Sequence, residues 1–285
     1  MIYHRYEDLS QAISRNLWKV PGDVRLVVGV PRSGMIAALM LSELMGCPAA
    51  TLDEFLLGRQ MSCGGRGSIM RRMQEGRVLV LDDTVYEGKA MGRTRALIEA
   101  SGRGEGVIYA CVFAEGREAK EKVDIFFEDI YRESDGLHLY EWNILHHYTG
   151  KTEKSMWDID GIMCKEPPKD TDREAYEAYL PEAVPMVIPT TRIGSIVTYR
   201  LKQYREVTEG WLRRYGISYD HLVMFDAISR EARNCTETAA HYKGRHYAAA
   251  DWAQLFYESD ARQAPVIASI AGKPVYCYED GRVYY

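Results

Sequence analysis

The residues of this chain best suited to chemistry are carboxylates that stand at the ends of short apolar runs, each followed by a turn. Asp82 and Asp83 close the run RVLVL and open a loop that carries Glu87, Gly88 and Lys89. Further along, Asp158 and Asp160 precede Gly161 in SMWDIDG, and Glu258 and Asp260 close LFYESD. Paired acids at a strand end can hold ribose hydroxyls or a magnesium ion, and an aspartate with a second carboxylate beside it can serve as nucleophile with a general acid and base. Positive charge comes from two places. The loop PRSG after LVVGV presents Arg32, Ser33 and Gly34, a charge, a hydroxyl and a backbone that an anion can approach closely, which suits a diphosphate. Lys243, in ETAAHYKGRHYA, presents a single ammonium; a surface helix lysine is the plain alternative for it, as an acidic turn is for each pair of acids.

These groups need elements that hold them at strand ends. Short β-rich runs at 26–30, 78–81, 107–113 and 123–127 alternate with helix-like stretches, one starting at Met35 and another near Met91, which reads as a parallel α/β sheet. A second series restarts after Gly150, at 155–159, 185–189, 221–225, 253–257 and 274–278. The restart divides the chain into domains 1–150 and 151–285. In open sheets of this kind ligands sit at the carboxyl ends of strands, where the next helix offers free N–H groups to a phosphate. The segment 129–152 is too aromatic for a free linker and is expected to pack at the domain junction.

Composition narrows the possibilities. With 285 residues, 46% of them hydrophobic, the chain can bury two modest cores. A net charge of −5 disfavours general binding to nucleic-acid backbone. The 6 cysteines form no CxxC pair and no zinc-type spacing, so a reducing cytoplasm is expected. The N-terminus lacks signal-peptide order, and no apolar run reaches the roughly 20 residues that span a bilayer. His138, His146, His147 and His221 read as structural or interfacial.

Taken together, the PRSG loop and the run RVLVLDDTVYEGKAM resemble the type I phosphoribosyltransferase family over residues 20–130. The resemblance implies that the first loop binds pyrophosphate and the second the 5-phosphate of phosphoribosyl diphosphate (PRPP), so that Arg32, Ser33, Gly34, Asp82, Asp83, Glu87, Gly88 and Lys89 bind PRPP, with Asp82 and Asp83 able to meet Mg2+. The glycine- and arginine-rich stretch 58–72, with Arg66, Arg71 and Arg72, looks like the family's closing loop. Departures are present as well. Glu87 stands where the family commonly has threonine, Ala90 replaces a hydroxyl residue, and Tyr86 replaces the acid that purine enzymes use near the base, which argues against a standard purine acceptor.

After residue 150 the motif DxDG resembles the start of the haloacid dehalogenase (HAD) superfamily. That resemblance makes Asp158 the nucleophile and Asp160 its acid and base. It assigns the phosphoryl-binding hydroxyl to Thr190 or Thr191, with Thr190 preferred for its spacing to Arg192, and the balancing charge to Lys243. The magnesium ligands would come from Asp158, Asp160, Glu258 and Asp260. No stretch is long enough for a cap domain, so the phosphate is expected to arrive on something large.

Joined, the two halves imply transfer of a phosphoribosyl unit from PRPP and removal of its 5-phosphate. The pairing resembles the transferase and phosphatase partners that add ribofuranose to bacterial capsule and O-antigen polysaccharides. The implied partner is a glycan acceptor, lipid-linked or free, and a base near the ribose C1 would be Asp53, Glu54 or Glu87. A nucleobase phosphoribosyltransferase fused to a nucleotidase, and a PRPP-sensing module that controls a phosphatase, are the alternative readings.

Overall fold

Most apolar runs of the sequence become strands of two larger, mostly parallel sheets. The computed structural model describes residues 1–61, 75–131, 138–146, 152–168 and 172–285. Arg66, Arg71, Arg72 and His147 lie outside the described residues. Two compact units follow one another, Met1–Trp142 and Asn143–Tyr285.

In the first unit a five-stranded parallel sheet runs in the order β3-β2-β4-β5-β6, built from β2 (Val24–Gly29), β3 (Ala49–Thr51), β4 (Arg77–Val85), β5 (Val107–Ala114) and β6 (Ile125–Asp129). Strands β2, β4 and β5 read as nearly continuous hydrophobic runs because both their faces are covered. Alternate residues feed two different cores. Leu26, Val28, Val78 and Val80 enter one, while Val27, Leu79 and Leu81 enter the other. The second of these cores is roofed by α1 (Tyr6–Arg15) through Leu9 and Ile13, and by α2 (Gly34–Met45) through Ala37 and Leu41. A separate two-stranded parallel pair joins β1 (Ile2–His4) to β7 (His138–Tyr140). There His4 Nε2 and His138 Nδ1 are 2.8 Å apart, which gives His138 its structural role.

The chain leaves β2 for β3 on one side and returns to β4 on the other, so a crevice opens between β2 and β4 at their carboxyl ends. Strand β2 stops at Gly29, opposite Leu81, whereas β4 continues to Val85 beside β5. Asp82 and Asp83 are therefore inside a strand, just past the end of its neighbour, and not in a loop after it. Helix α3 (Leu52–Leu56) follows β3, and α4 (Lys89–Ala100) starts two residues before the expected Met91.

The second unit has strand order β10-β9-β8-β11-β12-β13, parallel throughout except for the last pair. Its strands are β8 (Ser155–Trp157), β9 (Ile193–Leu201), β10 (Tyr219–Phe225), β11 (Leu255–Glu258), β12 (Val275–Cys277) and β13 (Arg282–Tyr284). Helices α5 (Arg173–Glu182), α6 (Arg205–Arg214), α7 (Arg230–Thr236), α8 (Ala239–Ala248) and α9 (Ala264–Ala271) connect them. Here the switch point lies between β8 and β11. The expected strand at 185–189 does not form: Pro185 makes only an isolated bridge with Cys164. Prolines at 185 and 189 deny it ladder donors, and the sheet takes the β-rich run 193–201 in its place.

The break between units falls after Trp142, earlier than the expected boundary at residue 150, because residues 138–142 pair and pack within the first unit. Among the described residues no helix is long and apolar enough to cross a membrane.

Candidate functional site

The crevice of the first unit is shaped by one glycine. A Cβ on Gly34 would lie 2.8 Å from the Leu81 carbonyl and 2.9 Å from Asp82 Oδ1, so only glycine lets the loop from β2 lie against β4 at the acids. The Pro31–Arg32 peptide in this loop is cis. Arg32 is exposed and Ser33 half-buried at the start of α2.

Asp82 and Asp83 are consecutive residues near the end of β4. Both are buried. Asp82 Oδ1 accepts the Asp83 N–H at 3.0 Å, and Asp83 Oδ2 accepts the indole N–H of Trp142 at 2.6 Å. Burial first, then the neighbouring Asp83, raises the Asp82 pKa well above the ordinary carboxylate range; burial also raises Asp83, against hydrogen bonds from Asp82 and Trp142 that lower it. Two adjacent buried acids with hard oxygens fit a Mg2+–diphosphate complex or the diol of a ribose, since either supplies the positive charge or the donors they need.

The loop after Val85 turns at Gly88, whose φ of 71° is left-handed and which caps α4. Glu87 and Lys89 form an exposed ion pair with each other. The carboxylate that departs from the phosphoribosyltransferase pattern is thus spent on the neighbouring lysine. Of the candidate bases, Glu54 closes a capping box with Thr51, accepting its backbone N–H at 2.9 Å, and Asp53 is exposed on α3.

The second unit gathers a denser cluster. Asp158 immediately follows β8, and its backbone N–H donates to the Tyr257 carbonyl of β11 at 3.0 Å. Beneath it the rings of Trp157 and Tyr257 stack at 3.9 Å across the two strands, which fixes the strand ends side by side. Lys243, on α8, is 2% exposed, so the surface-lysine alternative falls away. Its ammonium donates to Asp158 Oδ2 at 2.6 Å, to Glu258 Oε2 at 2.8 Å and to Gln263 Oε1 at 3.2 Å. Burial works against that charge, but the two carboxylates outweigh it and raise the lysine's pKa. Gly244 makes this placement possible by letting α8 approach Ile270 of α9, with an ideal Cβ already 3.0 Å away.

The two aspartates of the DxD motif are driven in opposite directions. Burial raises Asp158 to about 7, with Glu258 and Asp160 adding to it and Lys243 opposing. Burial would raise Asp160 as well, but the Arg200 guanidinium outweighs it and holds the carboxyl below its ordinary range. Arg200 is 1% exposed and binds Asp160 bidentately, Nη2 to Oδ1 at 2.5 Å and Nε to Oδ2 at 2.9 Å. Arg200 thus favours the ionised form of Asp160, whereas burial favours the protonated form of Asp158.

Thr190 does not join this cluster. It is exposed in a bend before β9, at the opposite edge of the sheet from the strand ends that carry Asp158 and Glu258. Thr191 hydrogen-bonds Thr152. The hydroxyl at the carboxyl end of β9 is Thr198, which is buried and lines the same cavity as Asp158, Asp160 and Lys243. Sequence carried a signal for it: Thr198 and Arg200 repeat the Thr-x-Arg spacing of Thr190 and Arg192, and do so at the end of an apolar run.

The expected four-acid magnesium cage does not assemble either. Both oxygens of Glu258 are occupied, Oε2 by Lys243 and Oε1 by the N–H groups of Ser259 and Asp260. Asp260 is held by Arg262, and Asp160 by Arg200. Among the described residues no group of three or more His, Cys, Asp or Glu side chains forms a metal site. Asp158 has Oδ2 on Lys243 and Oδ1 on the Ile159 N–H, so a Mg2+ ion held here with phosphate oxygens and water would have to share those oxygens with their present partners.

A cavity of about 360 Å3 opens over these groups, with Tyr176, Tyr199 and Tyr204 on its far wall. Glu166 also lines it, folded over Gly161, whose φ is 80° and whose added Cβ would lie 2.5 Å from Glu166 Oε1. Nothing in the spacing of Glu166, Tyr176 or Trp142 points to these positions, since each arrives from a loop or helix whose path is set only by packing.

No protein-family model matches the chain, and no curated protein matches it. Among solved structures it is similar to a purine phosphoribosyltransferase from Pyrococcus horikoshii Ot3, at 17% identity over 50% of this chain and 92% of that one, with a TM-score of 0.36. It is likewise similar to the xanthine-guanine-hypoxanthine phosphoribosyltransferase of Helicobacter pylori, at 17% identity over 50% and 91% of the two chains, with a TM-score of 0.34. A hypothetical protein from Neisseria gonorrhoeae with bound ppGpp gives 15% identity, the same coverage and a TM-score of 0.34.

Proposed function

We propose that the chain is a two-step ribosylation enzyme: the first unit transfers 5-phosphoribosyl from PRPP to a hydroxyl of a glycan, and the second hydrolyses the 5-phosphate to leave ribofuranose. The observation that carries this reading is that each sheet places its acids at its own switch point, Asp82 and Asp83 beside the Gly34 loop and Asp158 beside Lys243.

In the first step the acceptor oxygen bonds to C1 of the ribose as the C1–O bond to pyrophosphate breaks, and the acceptor's proton passes to a base, for which Asp53, exposed on α3, is a candidate. Magnesium held by Asp82 and Asp83 would neutralise the departing diphosphate. Arg32 and Ser33 take the diphosphate oxygens, and the turn at Gly88 takes the 5-phosphate on the N-terminal amides of α4.

In the second step Asp158 attacks phosphorus and the bond to O5 of the ribose breaks. The leaving oxygen takes a proton from Asp160, and water then releases phosphate from the aspartyl ester while returning a proton to Asp160. Lys243 balances charge on Asp158, and Thr198 donates to the transferring phosphoryl group. Magnesium held by Asp158 and the phosphate would add further neutralisation. Because Arg200 keeps Asp160 ionised, substrate must weaken that grip before Asp160 can carry a proton.

The division of labour is tested by two variants. Asp82→Asn should stop pyrophosphate release from PRPP and spare phosphatase turnover, while Asp158→Asn should do the reverse. Loss of both activities in either folded variant contradicts the proposal.

A further inference from the structure

The cavity over Asp158 is much larger than a phosphoryl group requires, and its size is that of a small-molecule site. Its far wall is aromatic. Tyr176, on α5, meets Tyr204 edge to face with ring centres 5.4 Å apart, and Tyr179 backs it at 6.1 Å. The wall is anchored, since Asp172 caps α5 by accepting the Ala175 N–H at 2.8 Å, and the Tyr179 hydroxyl shares its one proton between the Lys165 carbonyl and Asp160.

Charge on this wall is already committed. Arg173 pairs with Glu177 at 2.7 Å, and Arg233 donates to the Tyr199 carbonyl at 2.6 Å while lying over the Tyr199 ring. By contrast, the hydroxyl of Tyr176 has no hydrogen-bond partner among the described residues. Burial, with the charge of Asp160, raises the phenol above its ordinary range, so it keeps its proton and remains a donor. The wall therefore offers ring faces and a neutral donor, which suit the C–H face and the oxygens of a hydroxylated ring better than a second anion.

We propose that Tyr176 and Tyr204 form the leaving-group subsite of the second unit, which takes the sugar ring of a pentose 5-phosphate, with the Tyr176 hydroxyl donating to a ring or hydroxyl oxygen of that sugar. This rests on Asp158 being the nucleophile of a phosphomonoesterase. It makes Tyr176 a specificity residue of the site.

Calorimetric titration of the whole, metal-free protein with ribose 5-phosphate and, separately, with inorganic phosphate reads the subsite without turnover. Wild type should bind the sugar phosphate more tightly than phosphate. Tyr176→Phe, which keeps the ring and loses the hydroxyl, should weaken ribose 5-phosphate about threefold to tenfold and leave phosphate unchanged. Equal affinity of wild type for the two ligands, binding of neither, or an equal loss for both in the variant overturns the subsite. Turnover with Mg2+ separates this from the wider reading. If neither ribose 5-phosphate nor acetyl phosphate is hydrolysed while the calorimetric preference holds, the phosphatase reading fails and takes the leaving-group role with it, and only a sugar-phosphate binding site stands. If both are hydrolysed and Tyr176→Phe leaves KM for ribose 5-phosphate unaltered, the subsite falls and the phosphatase reading survives.

Discussion

Lys243 reaches from α8 to Asp158 with its ammonium 2.6 Å from the carboxylate, both groups almost wholly out of solvent. A buried pair broken on one side leaves the other charge without compensation, and Glu258 here is a second acid with the same dependence. Lys243→Met should therefore cost about 3–5 kcal/mol of stability, measured by denaturant unfolding, and remove phosphatase activity. A variant with unchanged stability would show that the lysine's charge is satisfied elsewhere.

The pH dependence of Asp158 has a definite sign. Burial raises its folded-state pKa from 3.8 to about 7, so between those values the folded protein binds a proton that the unfolded chain has released. The contribution of Asp158 to the stability of the metal-free protein should be largest below about pH 4, shrink as pH rises to about 7, and level off above it. Unfolding in the presence of a chelator, wild type against Asp158→Asn, checks this, since the variant should lack that part of the slope. Because the nucleophile must be ionised, phosphatase turnover should rise across the same window.

Two threonines compete for one role, and the sheet decides between them. Thr198 stands at the carboxyl end of β9 beside the cavity, whereas Thr190 precedes that strand. Thr198→Val should lower phosphatase kcat by about 100-fold, the size of effect expected when one donor to developing charge is lost. Thr190→Ala should leave it unchanged, and the opposite pattern would place the phosphoryl group elsewhere.

For the first unit the sharpest probe is Gly34→Ala. The new methyl group would sit within 3.0 Å of the Leu81 carbonyl and the Asp82 carboxylate, so the loop must back away from β4. Pyrophosphate release from PRPP should fall at least tenfold while phosphatase turnover by the second unit is preserved.

What the sequence disclosed was the material at strand ends. Apolar runs followed by DD, DxDG and ESD mark where β4, β8 and β11 carry their acids, because a parallel strand buried on both faces must be apolar until it reaches the ligand edge. Lys243 was legible through its place in chain order, although its burial was not. The run 185–189 forms no strand because its two prolines withhold ladder donors, and Thr190, which follows it, stays outside the cluster. Trp142 and Arg200 could not be assigned from spacing. Trp142 reaches Asp83 only because β7 pairs with the N-terminal strand, and Arg200 reaches Asp160 only because β9 lies beside β8. Such partners arise from tertiary neighbours, which local pattern does not encode. The domain boundary moved for the same reason, as the aromatic connector packs onto the first unit's core.

The most direct test of a two-step ribosylation is mass spectrometry of products formed from PRPP and Mg2+ with tagged oligosaccharide acceptors, wild type against Asp158→Asn. The account predicts that wild type adds a pentose and that the variant, with Asp158 unable to attack phosphorus, accumulates the phosphopentose adduct. A variant that still yields the unphosphorylated pentose, or a wild type that modifies free nucleobases and no glycan, would contradict it.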